Sequence, residues 1–324
     1  MKKDENMVDN GKVVVVGAGV MGHGIAQIFA QGGFRVSLVD INQKALDKAL
    51  KLIKSSLNTM AEEEYLEQPV EKILDLISLT TSLQEGANDA DIAVEAIAEN
   101  VEAKKDMFAQ LDTYCPPKTL LASNTSYLKI FDFVETSRPD KVLITHWYAP
   151  PQLVPLVDVV GGPKTDKRAL ESMVQALKKI GKRPILMKKY IPGYAVNRIQ
   201  RALYREVNFL IDNDYITPKQ LDEAVRVGLA FRMMVLGVVA RYDFSGISTR
   251  TRHPPGFEEI PLDYEYKKHA ELIKKGFLGV KTGRGFYDYK GKSEEEMYRE
   301  RDIRLIEVAK TLKEIDERGP LEGT

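Results

Sequence analysis

The sequence predicts a doubly wound α/β domain over residues 1–189, followed by an all-α domain over residues 190–324. Three observations predict it. A continuous β-branched run, Val13 to Val16, leads through a glycine-rich turn into a helical stretch and a second apolar run that stops at Asp40; this is one strand–helix–strand unit. Short apolar runs and amphipathic stretches then alternate as far as Met187. From Tyr194 onward the apolar spacing turns helical and the strand signal disappears.

Taken in order, Val13 to Val16 reads as a strand buried on both faces of a parallel sheet. His23 to Gln31 reads as a helix that Gly32-Gly33 ends, and Arg35 to Val39 as the second strand. Asn42 to Met60 has the pattern of a long helix, followed by an acidic stretch from Glu62 to Glu67 that Pro69 halts. Ile92 to Ile97, Thr119 to Ala122, Val142 to His146, Val157 to Val160 and Pro184 to Met187 read as further strands, with helices at Val101 to Leu111 and Asp166 to Ile180. In the second half, Asn197 to Ile211 is helical by spacing. Thr217-Pro218 supplies an N-cap and a first-turn proline for a helix to Val227.

A chain of 324 residues exceeds what one hydrophobic core usually organises, which agrees with two domains. Lys plus Arg and Asp plus Glu balance at 47 each, so there is no electrostatic case for a nucleic acid or an anionic membrane as partner. The single cysteine, Cys115, has no disulfide partner within the chain and reads as a buried free thiol. No Cys/His cluster has metal-ligand spacing, so no metal site is expected. Met1 to Gly11 is polar and unlike a signal peptide. The longest apolar run, Met233 to Ala240, is far short of the ~20 residues that span a bilayer. The expectation is a soluble, cytoplasmic protein.

Gly17-Ala18-Gly19-Val20-Met21-Gly22 matches G-x-G-x-x-G. The pattern alone is weak, but here it follows a predicted strand, opens a predicted helix, and is followed by an acid at the end of the next strand. Gly17 permits the tight turn, Gly19 lets a pyrophosphate approach the backbone, and Gly22 lets helix and strand pack closely. Val20 and Met21 lie at the helix N-terminus, whose N–H groups and dipole favour phosphate. Asp40 suits the adenosine ribose hydroxyls and repels a 2′-phosphate, and neither Ile41 nor Asn42 offers a compensating cation. The expected cofactor is therefore NAD, bound on a Rossmann domain.

Transfer of a hydride from an alcohol to NAD requires a base for the hydroxyl proton, and histidine titrates in the right range. Of the four histidines, His23 lies in the cofactor helix, and His253 and His269 sit in polar surroundings. His146 ends a predicted strand, where ligands bind in open α/β sheets.

Ser123-Asn124-Thr125-Ser126, His146, Asp158 and Pro192-Gly193-Tyr194-Ala195-Val196-Asn197-Arg198, with a later glycine-rich segment Gly279 to Tyr287, resemble the L-3-hydroxyacyl-CoA dehydrogenase family from Lys12 to about Tyr289. The resemblance implies that His146 is the general base. Asp158, twelve residues on, stands where the family has a Glu bonded to that histidine. It implies that Ser126 and Asn197 hold the substrate oxygen and carbonyl, and that Glu99, Lys104 and Asn124 fall on the cofactor side. Read without the resemblance, Ser126 and Asn197 equally suit helix caps, and Glu99 a loop acid.

Three departures bear on the substrate. Ala149 replaces an Asn usual in the family three residues after the histidine. Glu62, Glu63, Glu64 and Glu67 stand where members that use CoA tend to be basic, although the same stretch also suits a solvated helix face. Gly228 to Gly237 is similar to a segment of the L-gulonate 3-dehydrogenase, lambda-crystallin and carnitine dehydrogenase branch, which implies a small free hydroxy acid. Arg232 in that segment suits a carboxylate, with a surface salt bridge as its other reading. Val238 to Asp243 lacks the Pro common in the family, and its one acid is Asp243 at its end. The expectation is a homodimeric dehydrogenase of a small 3-hydroxy acid. A short 3-hydroxyacyl-CoA is the alternative substrate, and a non-catalytic NAD-binding protein like lambda-crystallin the alternative role.

Overall fold

The computed structural model describes residues 11–247 and 267–293 and positions 296, 297, 300, 311, 314 and 317. His253 lies outside the described residues. The chain forms two compact units, Met1–Ala202 and Leu203–Thr324.

The first unit is built on an eight-stranded sheet: β1 Lys12–Val16, β2 Arg35–Val39, β3 Ile77–Thr80, β4 Ile92–Glu95, β5 Leu120–Ser123, β6 Val142–Trp147, β7 Leu156–Gly161 and β8 Arg183–Leu186. Their order across the sheet is β3-β2-β1-β4-β5-β6-β7-β8. The strands from β3 to β6 are parallel, β7 runs antiparallel to β6, and β8 is parallel to β7. Five helices of this unit are α1 Gly22–Gln31, α2 Gln43–Glu62, α3 Val70–Leu74, α4 Leu83–Ala87 and α5 Val101–Tyr114. A sixth, α6 Lys167–Lys179, precedes β8, and α7 Val196–Asp212 begins in this unit.

The β-branched composition of β1 follows from burial on both faces. Val13 and Val15 join one apolar cluster with Ile25, Phe29, Leu38 and Trp147. Val14 and Val16 join the opposite one with Phe108, Leu121, Ile144 and Tyr194. Each fully buried valine contributes about 1.5–3 kcal/mol relative to exposure. Asn42 caps α2 by accepting from the Lys44 N–H at 2.9 Å.

Between Pro69 and Ile92 three elements go beyond the sequence reading, α3, β3 and α4, in a stretch without a strong period. β3 is a half-buried edge strand of four residues with Ser78 and Thr80 among them, so continuous apolar character is not required of it. The acidic stretch also differs from a helix face: α2 ends at Glu62, and Glu63, Glu64 and Glu67 lie on an exposed turn with Glu64 at φ 54°.

The second unit is mostly helical among the described residues, apart from a turn-rich segment after α11. The Thr217 cap forms as expected, in a reciprocal box with Gln220, at the start of α8 Pro218–Ala224. The helix then widens into a π segment, Val225–Ala230, before α9 Phe231–Leu236. α10 Ala240–Ser245 and α11 Lys267–Lys274 follow. The late glycine-rich segment wraps the buried Asp243 carboxylate, which accepts from the Phe286 and Tyr287 N–H groups at 2.9 and 3.2 Å and from the Tyr289 hydroxyl at 2.6 Å. A Cβ on Gly285 would stand 2.1 Å from that carboxylate, so the glycine is required by the close approach.

Candidate active site

The glycine-rich turn between β1 and α1 has the geometry a dinucleotide needs. Gly17 sits at φ 102°, and a Cβ there would meet the Ala96 carbonyl at 2.6 Å. A Cβ on Gly22 would lie 1.7 Å from the Gly17 carbonyl oxygen, so the turn closes only on glycine. Nothing lies within 4 Å of the position a Gly19 Cβ would take, which leaves that backbone open to a ligand. No side chain caps α1 at Met21, and the His23 N–H makes only a long bond of 3.4 Å to the Gly19 carbonyl, so this helix end can receive phosphate. Val20 and Ile41 stand largely exposed beside the turn. Asp40 accepts from the Ala18 N–H at 2.8 Å and the Asn42 N–H at 2.9 Å. It therefore shapes the glycine turn from the neighbouring strand, and its carboxylate retains acceptor capacity. These residues fit NAD.

A second group of polar side chains gathers around His146 at the end of β6. His146 pairs directly with Asp158 across the antiparallel β6–β7 register, which is why twelve residues separate them. The His146 ring Nδ1 is 3.2 Å from Asp158 Oδ2, and both residues are buried. Because a carboxylate only accepts, the neutral ring carries its proton on Nδ1 and turns a lone pair outward at Nε2. Ser126 Oγ lies 3.3 Å and Asn197 Nδ2 3.5 Å from that Nε2. Neither residue is a cap: Asn197 is the second residue of α7, and Lys129 precedes the short 3-10 turn after Ser126. Two aromatic rings wall the imidazole, Tyr148 and Tyr194, each with its centroid 4.6 Å away.

Glu99 holds the loop that carries Ser126. One of its oxygens accepts from the Thr125 hydroxyl at 2.7 Å and from the Ser126 and Tyr127 N–H groups at 2.9 Å each. Partial burial by itself would raise the Glu99 carboxyl. The Thr125, Tyr127 and Ser126 hydrogen bonds and the Lys104 charge outweigh it and hold the group below the usual carboxylate value. Lys104 lies beneath this site. Only 1% exposed, it bonds Glu95 at 2.6 Å and Glu99 at 3.4 Å, so it reaches the loop through Glu99 rather than at the surface. Asn124 is likewise occupied, accepting from the Trp147 N–H at 3.0 Å.

Sequence reasoning missed Glu95, Tyr148 and Tyr194. Glu95 is fully buried and also accepts from the Ser123 hydroxyl at 2.6 Å and the Ile97 N–H at 2.8 Å. An acid closing the otherwise apolar strand Ile92–Glu95 was the available signal, as Asp40 is after β2. Arg232, in the second unit, is exposed and donates from Nε to the Gly228 carbonyl at 2.7 Å, one helical turn back. Among the described residues no cluster could hold a metal, and no helix is long and apolar enough to cross a membrane.

Residues 12–190 match the 3-hydroxyacyl-CoA dehydrogenase NAD binding domain, and residues 193–289 match the C-terminal domain of the same family. The chain is similar to a probable 3-hydroxybutyryl-CoA dehydrogenase of Bacillus subtilis (strain 168), with 36% identity over 87% of this chain and 98% of that one. It is also similar to the 5-formyl-3-hydroxy-2-methylpyridine 4-carboxylate 5-dehydrogenase of Mesorhizobium japonicum, with 26% identity over 93% and 97%. The crystal structure of a 3-hydroxyacyl-CoA dehydrogenase from Archaeoglobus fulgidus superposes with a TM-score of 0.74 at 28% identity, covering 94% of this chain and 99% of that one. The chain therefore belongs to the 3-hydroxyacyl-CoA dehydrogenase family and is an NAD-dependent oxidoreductase acting on a CH–OH group.

Proposed function

We propose that the protein reversibly oxidises the 3-hydroxyl of a small free hydroxy acid to a ketone, with His146 as the general base. The observation that carries the chemistry is the arrangement on the imidazole: Asp158 on Nδ1, with Ser126 and Asn197 both beside Nε2. Asp158 holds the tautomer and stabilises the imidazolium that forms. Nε2 takes the hydroxyl proton while Ser126 and Asn197 fix the substrate oxygen. Bound NAD supplies the hydride acceptor. Gly17, Gly19, Val20, Met21, Gly22 and Asp40 are its proposed holders. Glu99 and Asn124 sit on the cofactor side, and Lys104 positions Glu99.

The free-acid reading rests on Arg232, proposed to read the carboxylate, and on the exposed acids Glu62, Glu63, Glu64 and Glu67, which disfavour a phosphorylated nucleotide nearby. The Mesorhizobium relative, which by its name acts on a carboxylate, matches more of this chain than the Bacillus relative does. The second reading is a short 3-hydroxyacyl-CoA. The Bacillus relative's name and its higher identity favour it.

A boundary near residue 190 would separate the NAD-binding domain from a helical domain for substrate and dimerisation. Partly exposed Val196, Ile199 and Leu203 at helical spacing on α7 suit a homodimer. We also place the protein in the cytoplasm, with no nucleic acid or membrane as partner.

The test is NADH formation with matched substrates: 3-hydroxybutyryl-CoA against free 3-hydroxybutyrate, L-gulonate and carnitine. The proposal expects higher kcat/KM on a free acid, and a rise in KM for that acid in Arg232→Ala. A thioester preference of about tenfold or more, roughly 1.4 kcal/mol of transition-state binding, would establish the second reading. NAD binding without turnover of any substrate would establish the lambda-crystallin-like alternative.

A further inference from the structure

We propose that Tyr148 is a positioning residue that sets the basicity of His146 by competing with it for the same carboxylate oxygen. This deepens the general-base reading of His146 and rests on it. The Tyr148 hydroxyl donates to Asp158 Oδ2 at 2.7 Å, and the His146 Nδ1 meets that same oxygen at 3.2 Å. The shorter bond goes to the tyrosine. Asp158 is 1% exposed, so water does not dilute either interaction. A carboxylate that accepts a proton donor from elsewhere has less charge left for the imidazolium. Such a donor therefore lowers the affinity of the neighbouring histidine for its proton.

The tyrosine is well held for this task. It follows His146 by two residues on the same strand end, and its ring meets the imidazole edge-on at 4.6 Å. Burial, the hydrogen bond to Asp158 and the Asp158 charge all push its own hydroxyl above the ordinary tyrosine range, so it remains a neutral donor. The other groups facing the imidazole leave this competition undisturbed. Ser126 and Asn197 address Nε2 rather than Nδ1. Tyr194 presents its ring and spends its hydroxyl on the Thr125 carbonyl at 2.6 Å. Asp158 is the carboxylate in contact with the ring.

The sign follows directly. Oxidation needs neutral His146, so kcat/KM rises with pH through the histidine pKa. In Tyr148→Phe the carboxylate turns wholly to the imidazole, the histidine pKa goes up, and the acidic limb moves to higher pH. The expected shift is about half to one pH unit, a three- to tenfold loss below the limb with the alkaline plateau retained. Fluorinated tyrosine at 148, a stronger donor of the same shape, moves the limb the opposite way. This second arm keeps the test valid if Phe disturbs packing.

The assay is the pH profile of kcat/KM with NAD and whichever of the matched substrates, free acid or 3-hydroxybutyryl-CoA, the protein turns over faster, beside an NMR titration of the His146 ring in the NAD-loaded protein, assigned with His146→Asn. Opposite shifts in the two variants, by both readouts, are the expected result. An imidazole titration that does not move in either variant overturns the proposal. If the titration moves but the kinetic limb stays, the competition for Asp158 stands and His146 is not the base.

Discussion

Lys104→Met tests the buried ion pair beneath the site. In the native protein the Lys104 ammonium lies 2.6 Å from Glu95 and 3.4 Å from Glu99, with Lys104 1% and Glu95 0% exposed. Removing the cation leaves Glu95 with two donors, the Ser123 hydroxyl and the Ile97 N–H, and no counter-charge. Breaking one partner of a buried pair costs about 3–5 kcal/mol. At roughly 2–4 °C per kcal/mol for a domain of this size, Tm should fall by about 6–20 °C. Glu95→Gln in the same protein removes the stranded charge: its amide oxygen can accept from the Ile97 N–H, and its NH2 can donate to the Ser123 hydroxyl, which turns to accept. The double variant should therefore recover most of the loss. Urea unfolding of the four proteins in the cycle gives the coupling energy directly. A Lys104→Met loss under about 1 kcal/mol, or a double variant no more stable than the single one, would refute the argument.

Three further outcomes are expected. Gly22→Ala puts a Cβ 1.7 Å from the Gly17 carbonyl oxygen and opens the turn; NADH fluorescence titration should show affinity weakened by at least about tenfold, or 1.4 kcal/mol. Asp40→Asn removes the charge while retaining an oxygen for the Ala18 N–H; the preference for NAD over NADP, measured by the same titration, should fall by about tenfold. Lys182 is buried, donates to the Pro151 and Val154 carbonyls at 2.6 and 2.9 Å, and is pushed down by burial to about 8 from 10.5. Between those values the unfolded chain binds more protons than the folded one, so stability should rise with pH through that window. In Lys182→Met that rise should be absent when denaturant midpoints are compared from pH 7 to 10.

The parts of this protein legible in its sequence are those in which a local pattern carries its own geometry. The turn from Gly17 to Gly22 and the acid at Asp40 are read within one strand–helix–strand unit. Gly17 and Gly22 each answer a contact with nearby backbone, while Gly19 leaves its backbone open. The His146 and Asp158 pairing was implied by the family resemblance, and the structure supplies its reason: an antiparallel pair of strands makes a fixed separation in sequence a direct opposition in space. What lay beyond the sequence depends on distant strands ending side by side. The β3 edge strand needed no apolar period because only part of it is buried. Glu95, Lys104, Ser123 and Glu99 come from β4, α5, β5 and the loop between β4 and α5, and only the parallel register from β4 to β5 brings them together. Tyr148 reads in sequence as one more aromatic, and its role arises from the orientation of its hydroxyl toward Asp158. Composition and periodicity determine which residues are buried and in which element. Which buried polar groups share a proton or a charge is decided by the packing of the sheet, since those interactions act over a few ångströms between residues far apart in the chain.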